Sequence, residues 1–267
     1  MKIACVTSMS KEYYDTIGKI MVNSYTQVWP KNIELHVYTE DALQLDGVNI
    51  IDIHKACDPN LKSYLDFIGD HFSRGFSYKV FSWIHAVRNI EADWILWIDA
   101  DVACIKAPDD EFISKMFPNN NQCAYMGTTM YKDKKGWKDK KNCDSAILSF
   151  NTKTDNSNKF VDLFEELYTS RKIKDKTLFP KPNDTHAFIY SIENCATPSI
   201  NLNPKKEALS PLKETFLNDY FRHFKAGRKD KTLIYGLVDK LIKTTEKLSG
   251  DKLAQRIDRV ERRFRNR

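Results

Sequence analysis

The segment Trp94-Ile95-Leu96-Trp97-Ile98 is an apolar run of strand composition that ends abruptly in Asp99-Ala100-Asp101, two carboxylates separated by one residue. Residues two apart on an extended strand point to the same face, so the pair stands together where the strand stops. Carboxylates so placed suit a hard divalent cation, held directly or through water, beside the phosphates of a substrate. An acidic turn after a buried strand has the same composition, and the rest of the chain must decide between the two.

The pattern around this segment sets the expected fold. Residues 3–7 form a short β-type run, and residues 11–27 carry Tyr14, Ile17, Ile20, Met21 and Tyr25 at helical spacing before stopping near Trp29-Pro30. Residues 33–38 and 48–53 read as strands. Residues 76–89 place Phe76, Val80, Trp83, Ile84 and Val87 on one stripe, a core-facing helix that precedes the acidic pair. This alternation predicts an α/β fold with a mainly parallel sheet flanked by helices. Ligands of such sheets lie beyond the carboxyl ends of the strands, where the acidic pair sits. The second half is less regular: strands at 122–126 and 146–151, a charged loop at 132–141, a helix at 158–171 and an irregular loop at 179–184. The expected organisation is one composite domain, 1–231, with a C-terminal helical extension, 232–267.

Composition excludes several classes. A hydrophobic fraction of 42% over 267 residues supports a sizeable core and argues against disorder. No run of 18 apolar residues occurs, so no transmembrane segment is expected. The cysteines Cys5, Cys57, Cys104, Cys123, Cys143 and Cys195 are scattered with no Cys-x-x-Cys pair, which fits small buried residues in a reducing compartment, most simply the cytoplasm. The net charge of +6 is uneven: residues 222–267 hold 15 Lys or Arg against 6 Asp or Glu, leaving −3 on the first 221.

That C-terminal end carries two amphipathic segments. Ile234, Leu237 or Val238, Leu241 and Leu248 mark one stripe, and Leu253, Ile257, Val260 and Phe264 another, with a break and N-cap at Ser249-Gly250-Asp251. Two helices closing the domain explain the pattern. So does a cationic surface for a polyanion, either nucleic-acid phosphates or the acidic lipid headgroups of a membrane contacted peripherally.

The apolar lead-in and Asp99-Ala100-Asp101 resemble the DxD signature of nucleotide-sugar-dependent glycosyltransferases with the GT-A (Rossmann-like) fold. Three segments follow the order of that family. Residues 77–83 lie where it often places a basic residue near the nucleotide, here Lys79, and residues 143–151 resemble the strand lining donor sugar and acceptor. His223-Phe224-Lys225-Ala226-Gly227-Arg228-Lys229 is similar to the late His-Phe-x-Gly-x-x-Lys element of glycosyltransferase family 8. The family's glycine falls at Ala226 here, with Gly227 one residue later, while His223 and Lys229 keep their separation.

The resemblance implies a metal site from Asp99, Asp101 and His223, suited to Mn²⁺ or Mg²⁺. It implies nucleotide-sugar contacts from Asp99, Lys79, Gly227 and Lys229, to which the carboxyl end of the first strand adds Thr7 and Ser8. Asp184 and Asp144 compete for the place beside the sugar, Asp184 having also the reading of a helix N-cap. The family 8 likeness favours retention of configuration. The N-terminal half also resembles compact bacteriophage-encoded glycosyltransferases, which implies hydroxymethylated pyrimidine in duplex DNA as the acceptor and the host cytoplasm as the location. Assembly of a cell-surface glycan at the inner membrane face is the alternative. A nucleotidyltransferase is a rival, but such enzymes open with a Gly-rich loop and Thr7-Ser8-Met9-Ser10-Lys11 has no glycine. A non-catalytic nucleic-acid-binding protein is the other.

Overall fold

The computed structural model describes residues 1–68, 71–133, 136–179, 181–203, 205, 211–224 and 255. Its centre is a seven-stranded sheet built from β1 (Ile3–Ser8), β2 (Glu34–Thr39), β3 (Asn49–Asp52), β4 (Trp94–Ile98), β6 (Cys123–Asp133), β7 (Gly136–Asn151) and β8 (Ser199–Asn201), in the order β3-β2-β1-β4-β7-β6-β8. The pairs β3–β2, β2–β1, β1–β4 and β6–β8 are parallel, whereas β4–β7 and β6–β7 are antiparallel. The expected mainly parallel sheet is present, with an antiparallel inset. A second, two-stranded sheet pairs β5 (Val102–Cys104) with β9 (Phe221–His223).

Both faces of the central strands are covered. Ala4, Val6, Ile95 and Trp97 belong to one apolar cluster, while Ile3, Cys5, Trp94, Leu96 and Ile98 belong to another. Double burial is why β4 is apolar at every position rather than alternating. All six cysteines are buried and free, as their scatter suggested.

The first helical segment differs from the expected single helix. It runs as α1 (Lys11–Tyr13), a π-helical turn (Tyr14–Gly18) and α2 (Lys19–Val28). Ser10 caps α1 by accepting the Tyr13 N–H. A Cβ on Gly18 would lie 2.7 Å from Met9 Sδ, so close packing beneath the turn uses the bare glycine. Two further helices were not expected, α3 (Ile53–Cys57) and α4 (Asn60–Ile68). Asp52 caps α3 through His54 N and Lys55 N, and α4 buries Leu61, Tyr64, Leu65 and Ile68, the spacing of an amphipathic helix. The core-facing helix, α5 (His71–Asn89), begins five residues earlier than its stripe suggested. Three more helices complete the elements used below: α6 (Asp110–Met116), α7 (Ser157–Thr169) and α8 (Asp184–Asn194).

Of the charged segment 132–141, expected as a loop, residues 132–133 and 136–141 belong to the long β6–β7 ribbon, whose ladder continues through Tyr131↔Lys138 to Asp133↔Gly136. Charge density suggested a solvated loop, but strands that pair with each other need no buried face to keep their backbone hydrogen bonds. At the root of this ribbon the Gly127 N–H donates to Asn201 Oδ1 at 2.7 Å, and its carbonyl accepts from Asn203 Nδ2 at 2.9 Å. A Cβ there would lie 2.7 Å from the Tyr125 ring and 3.0 Å from Asn201 Nδ2. Gly127→Ala is therefore expected to destabilise the chain by about 1–3 kcal/mol through overpacking. Denaturant unfolding measures this, and an unchanged midpoint would contradict it.

Candidate active site

Strand parity builds the acidic corner. Asp99 follows β4 two residues after Trp97 and shares its side of the sheet, the side covered by α5. Trp97 Nε1 donates to Asp99 Oδ1 at 2.6 Å. Lys79, on α5, reaches the same oxygen at 2.7 Å and lies 5.4 Å from the Trp97 ring centroid. β7 runs antiparallel to β4, so the Asp99 N–H donates to the Ala146 carbonyl at 2.8 Å and the preceding Ser145 meets Lys79. Lys79 Nζ donates to the carbonyl and the hydroxyl of Ser145, both at 2.9 Å, and contacts Asp184 Oδ2 at 3.0 Å. Ser145 in turn donates to Asp184 Oδ2 at 2.6 Å.

All three donors of Lys79 are thus taken up by Asp99, Asp184 and Ser145. Burial works against its charge, but Asp184 and Asp99 outweigh that and raise its pKa. The family resemblance places Lys79 beside the nucleotide; here its ammonium ties two parts of the acidic corner together. No sequence pattern singles out Ser145, although it neighbours Asp144.

Asp184 is the first residue of α8, and the cap is its neighbour: Asn183 accepts the His186 N–H. Asp184 is 4% exposed, and its Oδ1 has no hydrogen-bond partner among the described residues. It borders a cavity of about 20 Å³ lined also by Lys79, Trp97 and Ser145, room for one water-sized group. Asp144 Oδ1 accepts the Ala146 N–H at 3.1 Å, which orients its carboxylate from the same strand.

The other side of the corner comes from far along the chain. β5 leaves Asp101 and pairs with β9, setting Val102 opposite His223, and the Phe224 N–H donates to the Asp101 carbonyl at 2.8 Å. These backbone bonds bring His223 Nε2 to 3.3 Å from Asp101 Oδ1. Burial disfavours the imidazolium, but hydrogen bonding to Asp101 and the charges of Asp101, Asp144 and Asp99 outweigh it and raise the His223 pKa. Tyr13, at the end of α1, also faces this corner. Burial, the charges of Asp101 and Asp99, and a hydrogen bond to Asp101 push its phenol upward.

Among the described residues no group of three His, Cys, Asp or Glu side chains stands ready to enclose an ion. Asp101 and His223 present an oxygen and a nitrogen to one another, a donor pair that fits Mn²⁺ or Mg²⁺ by type, whereas Asp99 is turned to Lys79 and Trp97. At the end of β1, Thr7 is fully buried with its hydroxyl unpartnered among the described residues, and Ser8 is half-buried. Gly227, Lys229 and the extension 232–267 lie outside the described residues, apart from Gln255. No described helix is long and apolar enough to cross a membrane.

No protein-family model and no curated protein matches the sequence. Solved structures do match its fold. An active-site mutant of LgtC aligns at a TM-score of 0.50 and 12% identity, covering 89% of this chain and 95% of LgtC. Mouse xyloside xylosyltransferase 1 in its apo form aligns at 0.49 and 11%, covering 76% of this chain and 86% of the enzyme. The WbbM bifunctional glycosyltransferase aligns at 0.46 and 13%, covering 75% of this chain, which spans 38% of WbbM's length. The alignment with LgtC embraces nearly all of both chains, and the protein has the GT-A fold of the nucleotide-sugar glycosyltransferases.

Proposed function

We propose that this protein is a metal-dependent glycosyltransferase that moves a sugar from a nucleotide diphosphate sugar, a UDP-sugar, to a hydroxyl on a polyanionic acceptor, hydroxymethylated pyrimidine in duplex DNA. The observation that carries this is the convergence of Asp101 and His223 beside the Lys79–Asp184 pair, at the carboxyl end of β4 in a GT-A fold. LgtC, whose structure is solved with donor and acceptor sugar analogs, is a galactosyltransferase.

Among the described residues Lys79 holds Asp99 and Asp184, while the charges of Asp101, Asp144 and Asp99 act on His223. A diphosphate entering the corner meets excess negative charge, so donor binding needs cationic compensation. Asp101 and His223 would hold the ion, which acts when bound as a Lewis acid towards the leaving diphosphate. Binding there requires His223 to give up its proton and its hold on Asp101. Lys229, six residues on, would add fixed positive charge at the phosphates. Asp184 presents a buried carboxylate oxygen whose partner oxygen is locked by Lys79 and Ser145. A fixed carboxylate of this kind stabilises positive charge developing at the sugar, the requirement of a retaining enzyme. The six free, buried cysteines support a reducing compartment such as the cytoplasm.

A panel of nucleotide sugars with Mn²⁺ tests this by release of nucleoside diphosphate. One donor is expected to turn over, and chelation of the metal is expected to abolish that turnover. Absence of turnover with every donor, or pyrophosphate release from a nucleoside triphosphate instead, would refute the assignment.

A further inference from the structure

We propose that a resident water molecule sits between Trp83 Nε1 and Asp184 Oδ1, and that Trp83 is, through this water, a positioning residue for the Asp184 carboxylate. The water and its detection stand apart from the glycosyltransferase reading; only the effect on turnover rests on it. Two helices fix the place. Lys79 and Trp83 are four residues apart on α5, and Asp184 and Phe188 are four apart on α8, so each pair shares one face of its helix. Lys79 meets Asp184, and one turn along both helices Trp83 meets Phe188, with ring centroids 6.2 Å apart and planes at 82°. The cavity of about 20 Å³ lies among these four side chains, with Val80 and Leu148 in its wall. That volume holds one water.

Two buried atoms on this wall lack partners among the described residues, Asp184 Oδ1 and Trp83 Nε1, on side chains 4% and 3% exposed. The neighbours of Asp184 cannot supply a donor. The three protons of Lys79 already serve Asp99, Asp184 Oδ2 and the two oxygens of Ser145, and the Ser145 hydroxyl donates to the same Oδ2. Nor can the indole turn to find an acceptor, since it packs edge-on against Phe150 at 5.0 Å, Phe164 at 5.3 Å and Phe160 at 5.9 Å. An indole N–H only donates and a carboxylate oxygen accepts, and each left unpaired in the interior costs its full desolvation. A water accepts from the first and donates to the second, which gives it the two partners that a buried water needs. Charge and size exclude other occupants: a cation meets the Lys79 ammonium, an anion meets Asp184, and a sugar exceeds the volume. With the water in place Oδ2 is held by Lys79 and Ser145 and Oδ1 is held from α5, so the plane of the carboxylate is fixed at both ends.

The test uses the full chain with ¹⁵N-labelled tryptophan, the Trp83 indole signal being assigned through its contacts with the Phe164 and Phe188 rings. In wild type its proton is expected to show dipolar cross-relaxation with water, told from proton exchange by sign in the rotating frame. Val80→Ile adds a methylene to the cavity wall and expels the water, so the cross-relaxation should vanish. Its absence in wild type, or its persistence in Val80→Ile, would overturn the proposal. Trp83→Phe keeps an aromatic ring and deletes the N–H. Its kcat for donor turnover is expected to fall about tenfold, the scale of one hydrogen bond to a charged group, with KM and the Mn²⁺ requirement unchanged. Val80→Ile, which keeps the indole and loses the water, should show the same fall. An unchanged kcat in both variants would strike Trp83 as a positioning residue. Cross-relaxation in a protein that turns over no donor would leave the water standing and remove the enzyme, whereas turnover without cross-relaxation would do the reverse.

Discussion

Asp101→Ala is expected to lower metal-dependent release of nucleoside diphosphate by a factor of about 10²–10³, the usual cost of losing one preorganised group that stabilises developing charge. The carboxylate is half-buried, 18% exposed, and engages His223 at 3.3 Å, so its removal takes away an oxygen donor and frees the imidazole at once. The backbone is not at stake. Phe224 donates to the Asp101 carbonyl, and that bond survives the substitution, as does the pairing of Val102 with His223. Stability should therefore move by no more than about 1 kcal/mol, the scale of an incompletely buried side-chain hydrogen bond. Asp101→Asn separates charge from shape: it can still bond His223 but offers the ion a neutral oxygen. Activity is expected to remain low in the asparagine variant and to need more Mn²⁺. Steady-state rates across a Mn²⁺ titration, paired with a melting curve, check both halves. A fully active alanine variant with unaltered metal dependence would remove Asp101 from the chemistry.

What the sequence can disclose follows from how local each feature is. β4 and its acidic end are legible because burial on both faces leaves an unbroken apolar run that stops at Asp99 and Asp101. His223 lies far from Asp101 in sequence, and only a family pattern connects them; the physical connection is the β5–β9 ladder, two three-residue strands without periodicity to detect. The π-helical turn at Tyr14–Gly18 is hidden because it inserts a residue into a stripe that still reads as helical. The signals for α3 and α4 are present in Asp52 and in the Leu61, Tyr64, Leu65, Ile68 spacing, but elements this short give little periodicity. The strand residues 132–133 and 136–141 read as a loop when lysine density is weighed above Thr129, Tyr131 and Trp137, which favour strands. The role of Ser145 is illegible for a different reason. A serine gains meaning only when β7, α5 and α8 bring Lys79 and Asp184 to it, and no window of sequence contains that meeting.

That meeting yields the largest expected change in stability. Lys79→Met should destabilise the protein by about 3–5 kcal/mol, because it leaves two enclosed carboxylates without their shared cation. The side chains of Lys79 and Asp184 are 14% and 6% exposed, so solvent cannot replace the missing partner, while Asp99 at 27% retains some access to water. Burial already pushes the Asp99 carboxyl upward, Lys79 opposes this, and the charge of Asp101 adds to it. Removing the ammonium removes the opposing influence. Denaturant unfolding measures the loss, and a second substitution identifies its source. In Lys79→Met/Asp184→Asn one stranded charge becomes an amide that Ser145 can still reach, so most of the lost stability should return. Asp184→Asn alone should be close to wild type in stability, since Lys79 keeps Asp99 and both carry one charge, yet with the role proposed for Asp184 it should lose most donor turnover because its buried oxygen is no longer anionic. Stability restored without activity would separate the electrostatic bracing of the corner from its chemistry. If Lys79→Met instead unfolded at the wild-type midpoint, the lysine would be a bystander and Asp184 would have to be held by Ser145 and the start of α8 alone.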